Sequence, residues 1–265
     1  VNWCSVERVV VTQDKNLGDG LLMVAFIEEL LAINSKFELI MVMKGQIGPM
    51  FEGYDRMTFV SYPLSKLNFW AILWKIPRKG TVFVDLHPKA VHRILAWCRG
   101  FSVITGLHLR KWPFTKCDTH TLPSTVKGRK TYEMYLDVLR RLGVVCDFKP
   151  ANSRFYDWGV KTKRPAVLPD VYIVVHPGSR WMFKSLSLSQ WYSLFELLGR
   201  RYPSASIVVT GGDSPMEAQL GSRLSAIPNV FNLVGSTDIS ELSSVLAHAK
   251  GYIGVDTFAS HLASL

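Results

Sequence analysis

One feature narrows the fold more than any other. Short β-branched runs alternate with amphipathic stretches, and they do so in two separate series. In the first series, strands are expected at 9–12, 37–43, 57–60, 81–85 and 101–105. Helices fall at 21–33, 64–76, 89–98 and 131–142, the last closed by Gly143 as a C-terminal cap. Periodicity is then lost over 144–170, where prolines and lysines gather. The pattern restarts with strands at 171–176, 205–210, 230–234 and 252–255, helices at 188–200, 214–226 and 239–248, and another helix opening at Thr257. The fold class expected is α/β: two Rossmann-like, doubly wound parallel-sheet domains around a cleft. The expected boundaries are 1–150 for the first domain, 151–170 for a linker and 171–265 for the second. Because the last helix has barely begun when the sequence stops, the second domain is read as truncated.

Composition excludes several classes. An apolar share of 48% in 265 residues supports a sizeable core. Strictly apolar runs such as 69–74 are far shorter than the roughly 20 residues of a membrane span. No signal-peptide pattern opens the sequence, and Cys4, Cys98, Cys117 and Cys146 lack CxxC spacing. The expectation is a soluble, reduced, cytoplasmic protein. Its net charge of +10 is lopsided, with 19 Lys/Arg against 6 Asp/Glu in residues 75–164. That region suits a solvated face or an acidic partner. Nucleic acid is not expected, since no zinc-finger spacing or RNP-like motif accompanies it.

Ligands of doubly wound sheets bind beyond the carboxyl ends of the strands, so three strand-to-helix junctions matter most. The first is Asp14-Lys15-Asn16-Leu17-Gly18-Asp19-Gly20, where Asp19 is either a helix cap or a general base. The second runs from His176-Pro177-Gly178-Ser179-Arg180 to Lys184. Its hydroxyl, glycine and cations suit a phosphate, while His176 is read as a packed strand-end residue. The third is Gly254-Val255-Asp256-Thr257-Phe258-Ala259-Ser260-His261, where Asp256 and Thr257 cap a helix whose free amides also suit an anion.

Together these motifs resemble glycosyltransferase family 9, the ADP-heptose:lipopolysaccharide heptosyltransferases. Asn16 to Leu22 is similar to the family's N-terminal GD-x-L turn, and Val82 to His87 to its D-L-x segment. His176 to Lys184 and Trp191 looks like its HPG-type loop, Thr210-Gly211-Gly212 to Glu217 like its nucleotide-side turn, and Gly254 to Ala263 like its DTG-x-x-H-x-A signature. Phe258 stands where that signature has glycine, and the Arg-x-x-Phe-Lys run looks more like heptosyltransferase III. The resemblance implies a GT-B fold and inverting, metal-independent transfer of heptose from ADP-heptose to the lipopolysaccharide inner core, without a cofactor. It implies Asp19 as the base, and Ser179, Arg180, Lys184, Glu217, Asp256, Thr257 and His261 on the donor.

The basic region, through Lys89, His92, Arg93, Arg110 and Lys111, would take the phosphorylated core acceptor. Phe69 to Lys75, with Arg78 and Lys79, would either touch the inner leaflet or form a buried core helix. The implied location is cytoplasmic, peripheral on the inner membrane of a Gram-negative bacterium. No D-x-D motif occurs, so Lys184 and two helix N-termini are expected to carry the leaving group's charge. The alternatives are a GT-B transferase using another nucleotide sugar or a protein acceptor, and a GT-B protein that binds nucleotide without turnover.

Overall fold

Val9-Val10-Val11-Thr12, β-branched throughout, lies in the centre of the first sheet, where such residues pack on both faces. The computed structural model describes residues 1–13, 17–33, 36–43, 51, 54–61, 66–87, 89–107, 120–122, 130–148, 165, 167–179 and 182–264. It divides into two units, Val1–Ser153 and Arg154–Leu265, a division that falls inside the range read as a linker.

The first unit runs β1 (Arg8–Gln13), α1 (Leu17–Leu21), α2 (Val24–Ile33), β2 (Glu38–Met43), β3 (Met57–Ser61), α3 (Lys66–Lys75), β4 (Thr81–Asp85), α4 (Ala90–Arg99), β5 (Val103–Leu107), β6 (His120–Leu122) and α5 (Thr131–Arg141). All pairings are parallel, in the order β3-β2-β1-β4-β5-β6. The chain therefore reverses direction across the sheet between β1 and β4, and the crevice at their carboxyl ends is the expected ligand side. Val10, Ile40, Val42, Phe83 and Ile104 line one face of this sheet, covered by Phe69 and Leu73 of α3, by Ile76, and by Ala96 of α4. The helix expected over 21–33 starts at Val24 and is preceded by the short α1, which holds Gly18 and Gly20. Met23 N donates to Gly20 O (3.1 Å) in the tight turn between the two.

The second unit runs β7 (Tyr172–His176), a 3₁₀ turn (Met182–Lys184), α6 (Leu188–Arg201), β8 (Ser206–Val209), α7 (Pro215–Leu224), β9 (Val230–Asn232), α8 (Ile239–Ala247), β10 (Gly251–Gly254) and α9 (Phe258–Ala263). Its parallel sheet is ordered β10-β7-β8-β9, so the reversal lies between β7 and β10. Helix starts are chemically marked. Ser187 and Gln190 form a reciprocal cap on α6, Asp238 and Glu241 do so on α8, and Ser214 with Pro215 opens α7. Trp191, Phe195 and Leu198 of α6 bury against Ile173, Val175, Ile207 and Val209 of the strands. Parallel strands joined by helices in two units are what the alternation predicts.

Candidate functional site

In the second unit, the two motif-bearing turns meet at the strand reversal. Val255 N donates to His176 O (3.4 Å), extending the β7–β10 pairing beyond both strands. Ser185 Oγ donates to Pro177 O (2.8 Å), which folds the 3₁₀ turn back over the end of β7. Lys184, last in that turn, is thereby carried to Asp256, and its Nζ lies 2.5 Å from Oδ2. The hydrogen bond from Lys184 holds the Asp256 carboxyl below the usual carboxylate range, aided by the charges of Lys184 and His261. His261 Nε2 approaches the other carboxylate oxygen at 3.8 Å. Thr257 is the N-cap of α9, its N–H donating to Ser260 Oγ (3.1 Å).

Glu217 closes the opposite side of the same loop. Ser214 Oγ donates to its Oε2 (2.8 Å) and Gly212 N to its Oε1 (3.3 Å). The carboxylate packs onto Gly178 so tightly that a Cβ there would lie 2.1 Å from Oε1. Only glycine admits this approach. Ser179 is buried beside it. His176 is buried as well, its Nδ1 3.0 Å from Thr210 Oγ1, and burial lowers its pKa. It is a packed strand-end residue. A pocket of about 240 Å³ opens here, lined in part by Ser179, Ser185, Leu188, Glu217, Gln219 and Arg223. Arg180 lies outside the described residues.

In the first unit, half-buried Asp19 follows β1 on α1. Its charge, with burial as the larger cause, raises the pKa of Tyr135 on α5, and Gln13 Nε2 donates to the Tyr135 hydroxyl (2.9 Å). Gln13 and Tyr135 were not expected. Gln13 is the last residue of β1, the position to which the strand-end rule points.

The acceptor residues part company. Lys89 is half-buried, and burial lowers its pKa. His92 and Arg93, expected at the acceptor, are buried at 3% and 2% exposure. The reason is Asp85, fully buried at the end of β4. Its Oδ1 accepts from Thr12 Oγ1 (2.9 Å) and lies 3.4 Å from His92 Nδ1. Its Oδ2 accepts from Lys89 N (3.0 Å) and lies 3.4 Å from Arg93 Nε. Arg93 also donates to Leu107 O. A buried carboxylate needs such partners, and it draws the His92 and Arg93 side chains of α4 inward. Arg110 and Lys111 lie outside the described residues.

Residues 149–264 match the family model for glycosyltransferase family 9 (heptosyltransferase), so the resemblance carried by the motifs holds over the second unit. Lipopolysaccharide heptosyltransferase 3 of Escherichia coli K12 is 27% identical over 165 residues, 59% of this chain and 46% of the relative. The chain thus spans about half the length of the curated relatives it matches. Among solved structures, the E. coli heptosyltransferase WaaC with ADP shares the fold at TM-score 0.77 and 16% identity, over 97% of this chain and 84% of that one. The family 9 glycosyl transferase from Veillonella parvula does so at TM-score 0.73 and 18% identity, over 97% and 77%. The fold is that of the GT-B heptosyltransferases.

Proposed function

We propose that this chain is the catalytic part of a heptosyltransferase that moves heptose from ADP-heptose to the lipopolysaccharide inner core by an inverting, metal-independent route. The observation that carries this reading is the convergence of Lys184, Asp256 and His261 at the β7–β10 reversal, inside the region that matches the family. A departing nucleoside diphosphate needs positive charge aimed at its developing oxygens. Lys184 supplies it, the amides opening α9 beyond Thr257 add donors, and Ser179 offers a hydroxyl in the pocket it shares with Glu217. Arg180 extends the cationic set. Glu217, fixed by Ser214 and Gly212, presents a carboxylate suited to the ribose hydroxyls.

Asp19 then serves as the base that takes the acceptor hydroxyl proton as the sugar is displaced from the diphosphate. General-base help of this kind is worth about 10²- to 10⁴-fold. Lys89 meets the phosphorylated core acceptor in this reading, and Arg110 and Lys111 are proposed for the same role. Such an acceptor is anchored in the cytoplasmic leaflet, so the reading also makes the protein peripheral on the inner membrane.

The test is transfer itself: the chain incubated with ADP-heptose and a truncated core oligosaccharide, with product read by mass. A heptose increment supports the reading. ADP binding without an increment favours a nucleotide-binding protein lacking turnover, a rival that draws on half-buried Phe258 as the first residue of α9.

A further inference from the structure

Two tryptophans face solvent at the same end of neighbouring helices. Trp74 is ninth of the ten residues of α3 and 58% exposed, and Trp97 is eighth of the ten of α4 and 59% exposed. An indole that large is ordinarily drawn inward. Around them the charge has one sign. Lys75, Arg78 and Lys79 are exposed, and the Arg99 guanidinium lies 5.1 Å over the Trp74 ring. Arg99 is held there by bonds to Leu73 O (3.3 Å) and Ile76 O (2.7 Å), while the Arg78 side chain passes beside Gly100. The one acid between residues 66 and 100 is Asp85, which is fully buried. The neighbouring exposed acid, Glu7 beside Gly80, is paired with Arg8 at 3.0 Å.

We propose that the C-terminal ends of α3 and α4, through Trp74, Trp97, Lys75, Arg78 and Lys79, dock on the surface of an anionic phospholipid bilayer. Indole rings settle at the headgroup level, and lysine and arginine reach the phosphates beside them. A cation stacked on an exposed indole presents both groups at one depth. A protein partner would need a complementary acidic patch, whereas an anionic leaflet offers that charge over its whole plane. Both helix ends lie at the amino edge of the sheet, each a short turn before β4 or β5 begins. The five residues of β4 therefore hold the carboxyl edge, with Asp19 and Lys89, about 17 Å off the docked face. That spacing bears on an acceptor standing off the lipid and rests on the transferase reading. Bilayer binding does not.

The experiment is flotation of the whole chain with vesicles of phosphatidylcholine alone or mixed with phosphatidylglycerol, alongside tryptophan quenching by lipids labelled in the acyl chain. Binding to the mixed vesicles only, with quenching, is expected. The Lys75→Glu, Arg78→Glu, Lys79→Glu variant should lose affinity by at least about tenfold. Trp74→Ala with Trp97→Ala should lose both the quenching and most of the binding. Far-ultraviolet circular dichroism checks that each variant is folded. Equal binding to both vesicles, undiminished binding by the charge variant, or dimerisation in solution that Trp74→Ala abolishes would each overturn the proposal. Transfer to a soluble, lipid-free acceptor should be unchanged in all these variants, which separates failure here from failure of the transferase reading.

Discussion

Lys184 Nζ lies 2.5 Å from Asp256 Oδ2, joining residues 72 positions apart and locking the turn after β7 to the turn after β10. The pair is open to water, with Asp256 67% exposed, so its worth lies in placement and not in stability. Because the carboxyl's pKa is depressed in the folded chain, the pair is fully present above the ordinary value of 3.8 and is lost only as pH falls through the lower folded value. Throughout the neutral range the pair holds the Lys184 ammonium beside Asp256, the position the proposed transfer asks of it.

Lys184→Ala should therefore weaken ADP binding by about 10- to 100-fold, the worth of one hydrogen bond to a charged group. Titration calorimetry reads this directly. Unchanged affinity would remove Lys184 from the donor site.

Asp19→Asn should lower kcat by about 10²- to 10⁴-fold while ADP affinity stays within about twofold. A variant that turns over normally would show that Asp19 is only a helix residue beside Tyr135. Parallel loss of ADP binding would point to damage in the fold.

Asp85 makes a different prediction. Replacing it with Ala strands the Arg93 guanidinium in the core without its counter-charge and removes the oxygen facing His92 Nδ1, a change that typically costs about 3–5 kcal/mol when one partner of a buried pair is removed. Urea unfolding of the variant should show that loss. If stability holds and acceptor affinity falls instead, His92 and Arg93 belong to the acceptor site.

His176 makes the second unit acid-sensitive. Burial holds its pKa below the ordinary 6.5, against the opposing charge of Glu217. The unfolded chain then takes up a proton that the folded unit refuses, so stability falls as pH drops below about 6.5 and levels off beneath the folded pKa. The thermal midpoint should decline as pH falls below about 6.5, and His176→Asn should flatten that decline. An equal slope in the variant would dismiss the histidine as its source.

The strands of both sheets were legible because Val, Ile and Thr runs have few other uses. Thr81–Asp85 and Met57–Ser61 fall within a residue of expectation. His120–Leu122 was not, since three residues with no apolar run leave no period to read. The motif turns were legible as chemistry, but their contacts were not. Glu217 folding onto Gly178 and Ser185 returning to Pro177 depend on how turns from different strands meet. The contacts of the basic region were hidden for a similar reason. A lysine, a histidine and an arginine within five residues look alike as charge, yet Asp85 buries two of them and leaves Lys89 half-open. The run from Phe69 to Trp74 divided likewise, with Phe69 and Leu73 in the core and Trp74 outside.

Two glycines set a final contrast. At Gly178 a Cβ would meet the Glu217 side chain, at 2.1 Å from Oε1 and 2.7 Å from Cγ, and that side chain can turn away as a whole. At Gly106, where φ is +150°, a Cβ would meet the Asp85 carbonyl at 2.0 Å, and that backbone belongs to the neighbouring strand β4. Rigid backbone cannot yield as a carboxylate can, and the dihedral itself disfavours any other residue. Gly106→Ala should therefore destabilise the first unit by several kcal/mol, more than the roughly 1 kcal/mol centre of single substitutions. Gly178→Ala should leave unfolding nearly unchanged but swing Glu217 off its Gly212 and Ser214 bonds, weakening ADP binding by about tenfold. Unfolding midpoints and ADP titrations on the two variants separate these outcomes. If Gly178→Ala unfolds the chain or keeps full ADP affinity, Glu217 is a structural brace and not part of a nucleotide site.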